Sequence, residues 1–112
     1  GGFDHCYVLD RPRGASQSLC AWASSDKTGI SMKMYTTQPG IQLYTGNFLQ
    51  NCPSPGKGGV LLEKYGGFAL ETQHFPCSPS HPEFPTTVLR AGKVFRANTT
   101  LRFFTGRQCG RL

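Results

Sequence analysis

An antiparallel all-β fold is what this sequence predicts, on three observations. Gly (14) and Pro (8) are abundant among 112 residues while charged residues make up only 16%, the composition of a turn-rich β chain rather than of a helical bundle or a highly charged disordered one. Short runs rich in aromatic and β-branched residues recur between turn signals. In several of them side chains alternate with a period of two, as a half-buried strand requires.

Taken in order, the expected strands are Phe3 to Leu9, Leu19 to Ala23, Ile30 to Thr36, Ile41 to Thr45, Phe68 to Gln73, Thr86 to Arg90 and Thr99 to Phe104. Ile30, Met32 and Met34 alternate with Ser31, Lys33 and Tyr35, and Leu101 and Phe103 alternate with Arg102 and Phe104. Asp10 to Ser18 and Ser24 to Gly29 supply turn residues, and Ala91-Gly92-Lys93 reads as the tip of a hairpin joining the last two strands. Gln50 to Gly59, with two Pro and three Gly, has the composition of a surface loop. Its Gly-Lys-Gly-Gly lacks the spacing of a phosphate loop. Pro76, Pro79, Pro82 and Pro85 recur every third residue, which suits either a left-handed polyproline turn or a stiffened loop. No helix of convincing length is expected.

Several function classes are excluded by what is missing. The net charge is +6, yet the Lys and Arg residues are scattered, so no nucleic-acid partner is expected. No apolar run approaches the ~18 residues of a membrane span, and no secretory leader is visible. Five cysteines without a Cys-x-x-Cys pair suggest reduced thiols in the cytoplasm rather than a zinc site or disulfide framework. Asn98-Thr99-Thr100 matches a glycosylation acceptor, a tripeptide that arises easily by chance.

The chemistry concentrates on three strands. Alternation puts Ala69, Glu71 and Gln73 on one face and Phe68, Leu70 and Thr72 on the other. A carboxylate in so apolar a strand must meet water, donors or a ligand, and a Glu on the solvent face of an edge strand satisfies the same pattern. Gln42 and Tyr44 share a face opposite Ile41 and Leu43. An amide both donates and accepts, as a hydroxyl demands, and an aromatic ring offers a surface for C–H groups. Asp4 lies in a similar strand, and a carboxylate readily accepts two hydroxyl hydrogen bonds.

Gly2-Phe3-Asp4-His5, the stretch Met34-Tyr35-Thr36-Thr37-Gln38-Pro39-Gly40-Ile41-Gln42-Leu43-Tyr44-Thr45-Gly46-Asn47-Phe48, and Leu70-Glu71-Thr72-Gln73-His74-Phe75-Pro76 resemble, in this order, the carboxyl-terminal part of the aldose 1-epimerase (galactose mutarotase) family. The resemblance runs from about Gly2 to Phe104 and implies part of a large antiparallel β-sandwich, the galactose-mutarotase-like supersandwich. It assigns Glu71 as general base and Asp4 and Gln42 as ligands of sugar hydroxyls. It implies an enzyme that interconverts α and β anomers of hexoses such as galactose and glucose, with no cofactor and no metal. Glu71 would take the anomeric proton while an acid protonates the ring oxygen, and reclosure after rotation would give the other anomer.

The family's general acid, a His, precedes the part matched here, as do a second His and an Asn-Arg pair that grip the substrate. None of His5, His74 and His81 matches that position. Residues 1–104 are therefore expected to be a partial domain, followed by an off-pattern tail over 105–112, in a chain present as a fragment. Two alternatives stand beside the enzyme: a sugar-binding β domain without turnover, and a truncated product whose strands only pack. A piece of a sandwich exposes strand edges and apolar surface, so low stability and self-association through those edges are also expected.

Overall fold

The aromatic and β-branched runs become strands where a partner strand receives their backbone groups. The computed structural model describes residues 1–12 and 15–105. Its strands are β1 (Asp4–Val8), β2 (Ser18–Ser24), β3 (Ile30–Thr36), β4 (Gly40–Tyr44), β5 (Ala69–Gln73) and β6 (Thr99–Thr105). Between them lie single 3₁₀ turns at Leu49–Asn51, Lys57–Gly59 and Ser78–Ser80. The strands form two three-stranded antiparallel sheets, ordered β1-β4-β5 and β2-β3-β6. Each sheet anchors one of two compact units: Gly1–Val8 with Pro39–Thr87, and Leu9–Gln38 with the residues from Val88 onward.

In the first unit β4 is central. Ile41, which is 4% exposed, faces away from Gln42 and is the buried aliphatic of this unit. Beyond β4, Thr45 and Asn47 tie the sheet's entry strand in place. The Phe3 N–H donates to Thr45 Oγ1 at 2.7 Å, the Thr45 hydroxyl donates to Asn47 Oδ1 at 2.8 Å, and Asn47 Nδ2 donates to the Phe3 carbonyl at 2.9 Å. Gly46, at φ +69°, makes the turn between them; a Cβ there would stand 2.5 Å from the Gly67 carbonyl oxygen. No side chain fits that turn without moving backbone.

In the second unit β3 is central, reached from β2 through a turn in which the Gly29 N–H donates to Ser25 O at 2.8 Å. Met34, 5% exposed, is its buried apolar residue. Thr36 is fully buried, and its Oγ1 accepts from the Gln38 N–H at 3.1 Å. The two-residue period in β3 is only partly a burial pattern, because Ser31 on the other face is buried as well while Ile30 at the strand's start is exposed. Ser31 is paired between Ser24 and Phe104, and a small side chain in a central strand is covered by its neighbours.

Three local expectations differ from the structure. Thr86 to Arg90 is not a strand: it has the propensity but joins neither of the two described sheets, and β propensity expresses fit to a pleated neighbour. Ala91-Gly92-Lys93 does turn, with the Lys93 N–H donating to Arg90 O at 3.0 Å, but without flanking strands it is no hairpin. The proline stretch is not a polyproline helix. Cys77 takes a left-handed conformation at φ 59° and Ser78–Ser80 form a 3₁₀ turn, so the prolines stiffen a folded loop. The expected tail lies outside the described residues apart from Thr105, which ends β6 opposite Ile30.

The described cysteines Cys6, Cys20, Cys52 and Cys77 are free thiols. Cys20 sits at the register shift between Leu19 and Ala21 and donates from Sγ to the Met34 carbonyl at 3.2 Å. Desolvation by burial pushes its thiol pKa up, which lowers its thiolate fraction. Iodoacetamide at pH 8 is expected to label exposed Cys52 and Cys77 well before Cys20, as read by peptide mass spectrometry; first labelling at Cys20 would contradict this packing.

Candidate functional site

Strand parity fixes which side chains share a face, and register fixes which of them are neighbours. On one face of the first sheet the register gives three rows across β1, β4 and β5: Asp4, Tyr44 and Ala69; Cys6, Gln42 and Glu71; Val8, Gly40 and Gln73. All three residues singled out in the sequence thus lie on the same face, with Gln42 at its centre. Glu71 is directly beside Gln42. Asp4 is the diagonal neighbour of Gln42 on the other side, so Asp4 and Glu71 stand two strand spacings across and two residues along the sheet, roughly 12 Å apart.

Gln42 Nε2 donates to Asp4 Oδ1 at 2.7 Å. A carboxylate only accepts, so this contact also fixes the amide's orientation and turns Oε1 away from Asp4. That Oε1 is buried and has no hydrogen-bond partner among the described residues. An orphaned buried acceptor costs about 1–3 kcal/mol, a cost expected of a residue shaped for binding more than for stability. Glu71 is exposed, and among the described residues no cation pairs with it.

The surroundings are built by Tyr44 and Gln73, which alternation already placed on this face, and by residues that the strand patterns do not single out. Phe3, anchored by Thr45 and Asn47, sets the position of Asp4, and the Thr-Gly-Asn turn composition is its only trace in sequence. Tyr44 is held by the Phe48 N–H, which donates to its hydroxyl at 2.9 Å. Gln73 Nε2 reaches Cys6 Sγ at 3.8 Å, crossing the row that Gly40 leaves open.

None of the three histidines joins these rows. His5 faces the other side of β1 from Asp4 by parity, and its Nδ1 accepts from the Asp4 N–H at 3.0 Å. His81 lies 2.9 Å from Glu83 and stacks on Phe84 at 4.7 Å. His74 follows β5. Among the described residues no three His, Cys, Asp or Glu side chains gather as a metal site, and no helix is long and apolar enough to cross a membrane. Chemically, the face can accept hydrogen bonds from hydroxyls at Asp4 and Gln42, donate from Gln42, and take up a proton at Glu71.

The family model described as aldose 1-epimerase matches residues 1–102. The chain is 39% identical over 102 residues to galactose mutarotase of Rattus norvegicus and 40% identical over 103 residues to that of Homo sapiens. Each alignment covers 91% of this chain and 29% of the relative. Aldose 1-epimerase of Escherichia coli K12 is 36% identical over 106 residues, again 29% of its length. Among solved structures, the GalM/aldose epimerase homologue from C. elegans matches with a TM-score of 0.83 at 26% identity, covering 94% of this chain and 30% of that one. The chain therefore spans less than a third of the length of the relatives it matches.

Proposed function

We propose that this chain, which belongs to the aldose 1-epimerase family, carries the catalytic base and part of the hexose-binding face of an enzyme interconverting α and β anomers of hexoses such as galactose and glucose. The observation that supports this most is the row geometry: Glu71 beside Gln42, and Gln42 bonded to Asp4, on one face of three paired strands. In this reading Asp4 and Gln42 hold hydroxyls and Glu71 takes the proton of the anomeric hydroxyl. The electron pair released at that oxygen forms the C1 carbonyl as the C1 bond to the ring oxygen breaks. The ring oxygen then needs a proton, and no histidine shares the face. We place that general acid outside these 112 residues, so that the chain works as part of a longer polypeptide or with a completing chain.

The reaction so described couples proton transfers to the breaking and re-forming of one C–O bond and calls for no cofactor. Free thiols at Cys6, Cys20, Cys52 and Cys77 support a reducing, cytoplasmic setting. A second reading, a sugar-binding domain without turnover, is favoured by the absence of a histidine from the rows. Polarimetry separates the two. Faster decay of freshly dissolved α-glucose or α-galactose in the presence of the chain supports the enzyme, whereas sugar-induced NMR shifts with no acceleration support binding alone.

We also propose that the chain self-associates when isolated. Ile30, Leu101 and Phe103 share one face of the β2-β3-β6 sheet and are all exposed, Phe103 at 66%, and neighbouring exposed apolar side chains of this size mark association surfaces. Sedimentation velocity is expected to show dimers or larger species that weaken in Phe103→Ser. A monomer across the micromolar range would refute this.

A further inference from the structure

Phe75 lies beyond the end of β5, yet its ring returns to the face that holds Glu71. A Cβ added at Gly40 would stand 2.9 Å from Phe75 Cε1 and 3.2 Å from Cys6 Sγ. Position 40 shares its face with Gln42 and Tyr44 by strand parity, so these contacts put the Phe75 ring on the face of Asp4, Gln42 and Glu71. Gly40 is the notch that admits it.

The ring is held there from behind. Cys77 is left-handed and leads into the 3₁₀ turn at Ser78–Ser80, Ser78 Oγ donates to the Phe75 carbonyl at 2.6 Å, and Phe84 meets the ring edge-on at 5.2 Å. Phe75 is half-buried, so the residue keeps some accessible surface. Tyr44 stands four positions from Gly40 along β4, about 13 Å of strand. The polar row Cys6, Gln42 and Glu71 therefore lies between an aromatic residue at each end.

We propose that Phe75, seated over Gly40, is the apolar wall closing one end of this face and a specificity-determining residue, packing its ring against the C–H groups of a bound hexose. A pyranose is polar around its rim and apolar across its C–H faces, and the electron-rich face of an aromatic ring attracts those C–H groups. This inference rests on the reading of the face as a hexose site.

The test is a titration of the isotope-labelled chain with galactose and with glucose, followed by NMR. Phe75→Leu and Phe75→Ala are expected to weaken binding about threefold to tenfold. Gly40→Ala is expected to weaken it comparably, because its methyl displaces the ring. In a Phe75→Ala background Gly40→Ala should then have a clearly smaller effect, from its remaining contact with Cys6 Sγ alone, the non-additivity expected of two positions that share a contact. Phe75→Leu keeps apolar bulk in the notch and decides the matter if Phe75→Ala does not fold. Affinities unchanged in both Phe75 variants while Gln42→Ala loses the sugar would overturn this inference alone, as would an equal effect of Gly40→Ala in both backgrounds. No sugar-dependent shift in the unmodified chain overturns both this inference and the reading beneath it.

Discussion

Glu71→Gln is expected to abolish whatever acceleration of mutarotation the chain provides while leaving sugar affinity nearly intact. Gln has almost the shape of Glu and still offers an oxygen acceptor, so contacts to hydroxyls largely survive. What it loses is the ability to take a proton, and one well-placed proton transfer contributes about 10²–10⁴ in rate. The distinction is kinetic: a base acts on kcat, whereas loss of a hydroxyl ligand such as Gln42 raises KM. Anomer exchange followed by polarimetry gives the first, and sugar titration by NMR gives the second. Equal rates for Glu71→Gln and the unaltered chain, under conditions where Gln42→Ala slows turnover, would remove Glu71 from the role of base.

The faces that these side chains occupy were legible in the sequence from strand parity, whereas the roles given to Glu71, Asp4 and Gln42 came from the family resemblance. Within a strand, parity alone decides that Gln42 and Tyr44 oppose Ile41 and Leu43, and that Glu71 shares a face with Gln73. The structure agrees on each count. The boundaries of β1 through β6 follow the aromatic and β-branched runs to within a residue or so. Parity says nothing, however, about which strands are neighbours. That β4 lies between β1 and β5, setting Gln42 between Asp4 and Glu71, depends on pairing between positions far apart in the chain, from Tyr44 with Ala69 to Asp4 with Tyr44.

The failures share this origin. Thr86 to Arg90 carries residues suited to a strand and joins neither described sheet, whereas β6 carries a similar run and pairs with β3 along its whole length. The proline period described a spacing but not the conformations, which are set by the turn at Cys77 and the packing of Phe75 on Phe84. The role of Gly40 was invisible for the same reason. A missing side chain becomes meaningful only when the structure shows a ring from position 75 occupying its place.

Stability should be most sensitive on the opposite face of the same strand. Ile41 and Met34 are the buried hydrophobic residues among those described, and only Ile41 belongs to the unit that carries Asp4, Gln42 and Glu71. Ile→Ala at a buried site costs about 2–5 kcal/mol through lost transfer energy and the cavity left behind. Whole domains have only about 5–15 kcal/mol to lose, and a three-stranded sheet with one buried aliphatic belongs near the bottom of that range. Ile41→Ala is therefore expected to lose its cooperative urea transition, whereas Ile41→Val, at about 0.5–1.5 kcal/mol, should keep one. The effect reaches the functional face because Ile41 specifies register. A one-residue slip of β4 would turn Gln42 to the far side and bring Ile41 beside Glu71. Amide NMR signals of β1, β4 and β5 are expected to collapse together in Ile41→Ala, with sugar-induced shifts lost in the same proportion. A variant that melts like the unaltered chain would show that the sheet draws its stability from elsewhere and that its register is not fixed by this side chain.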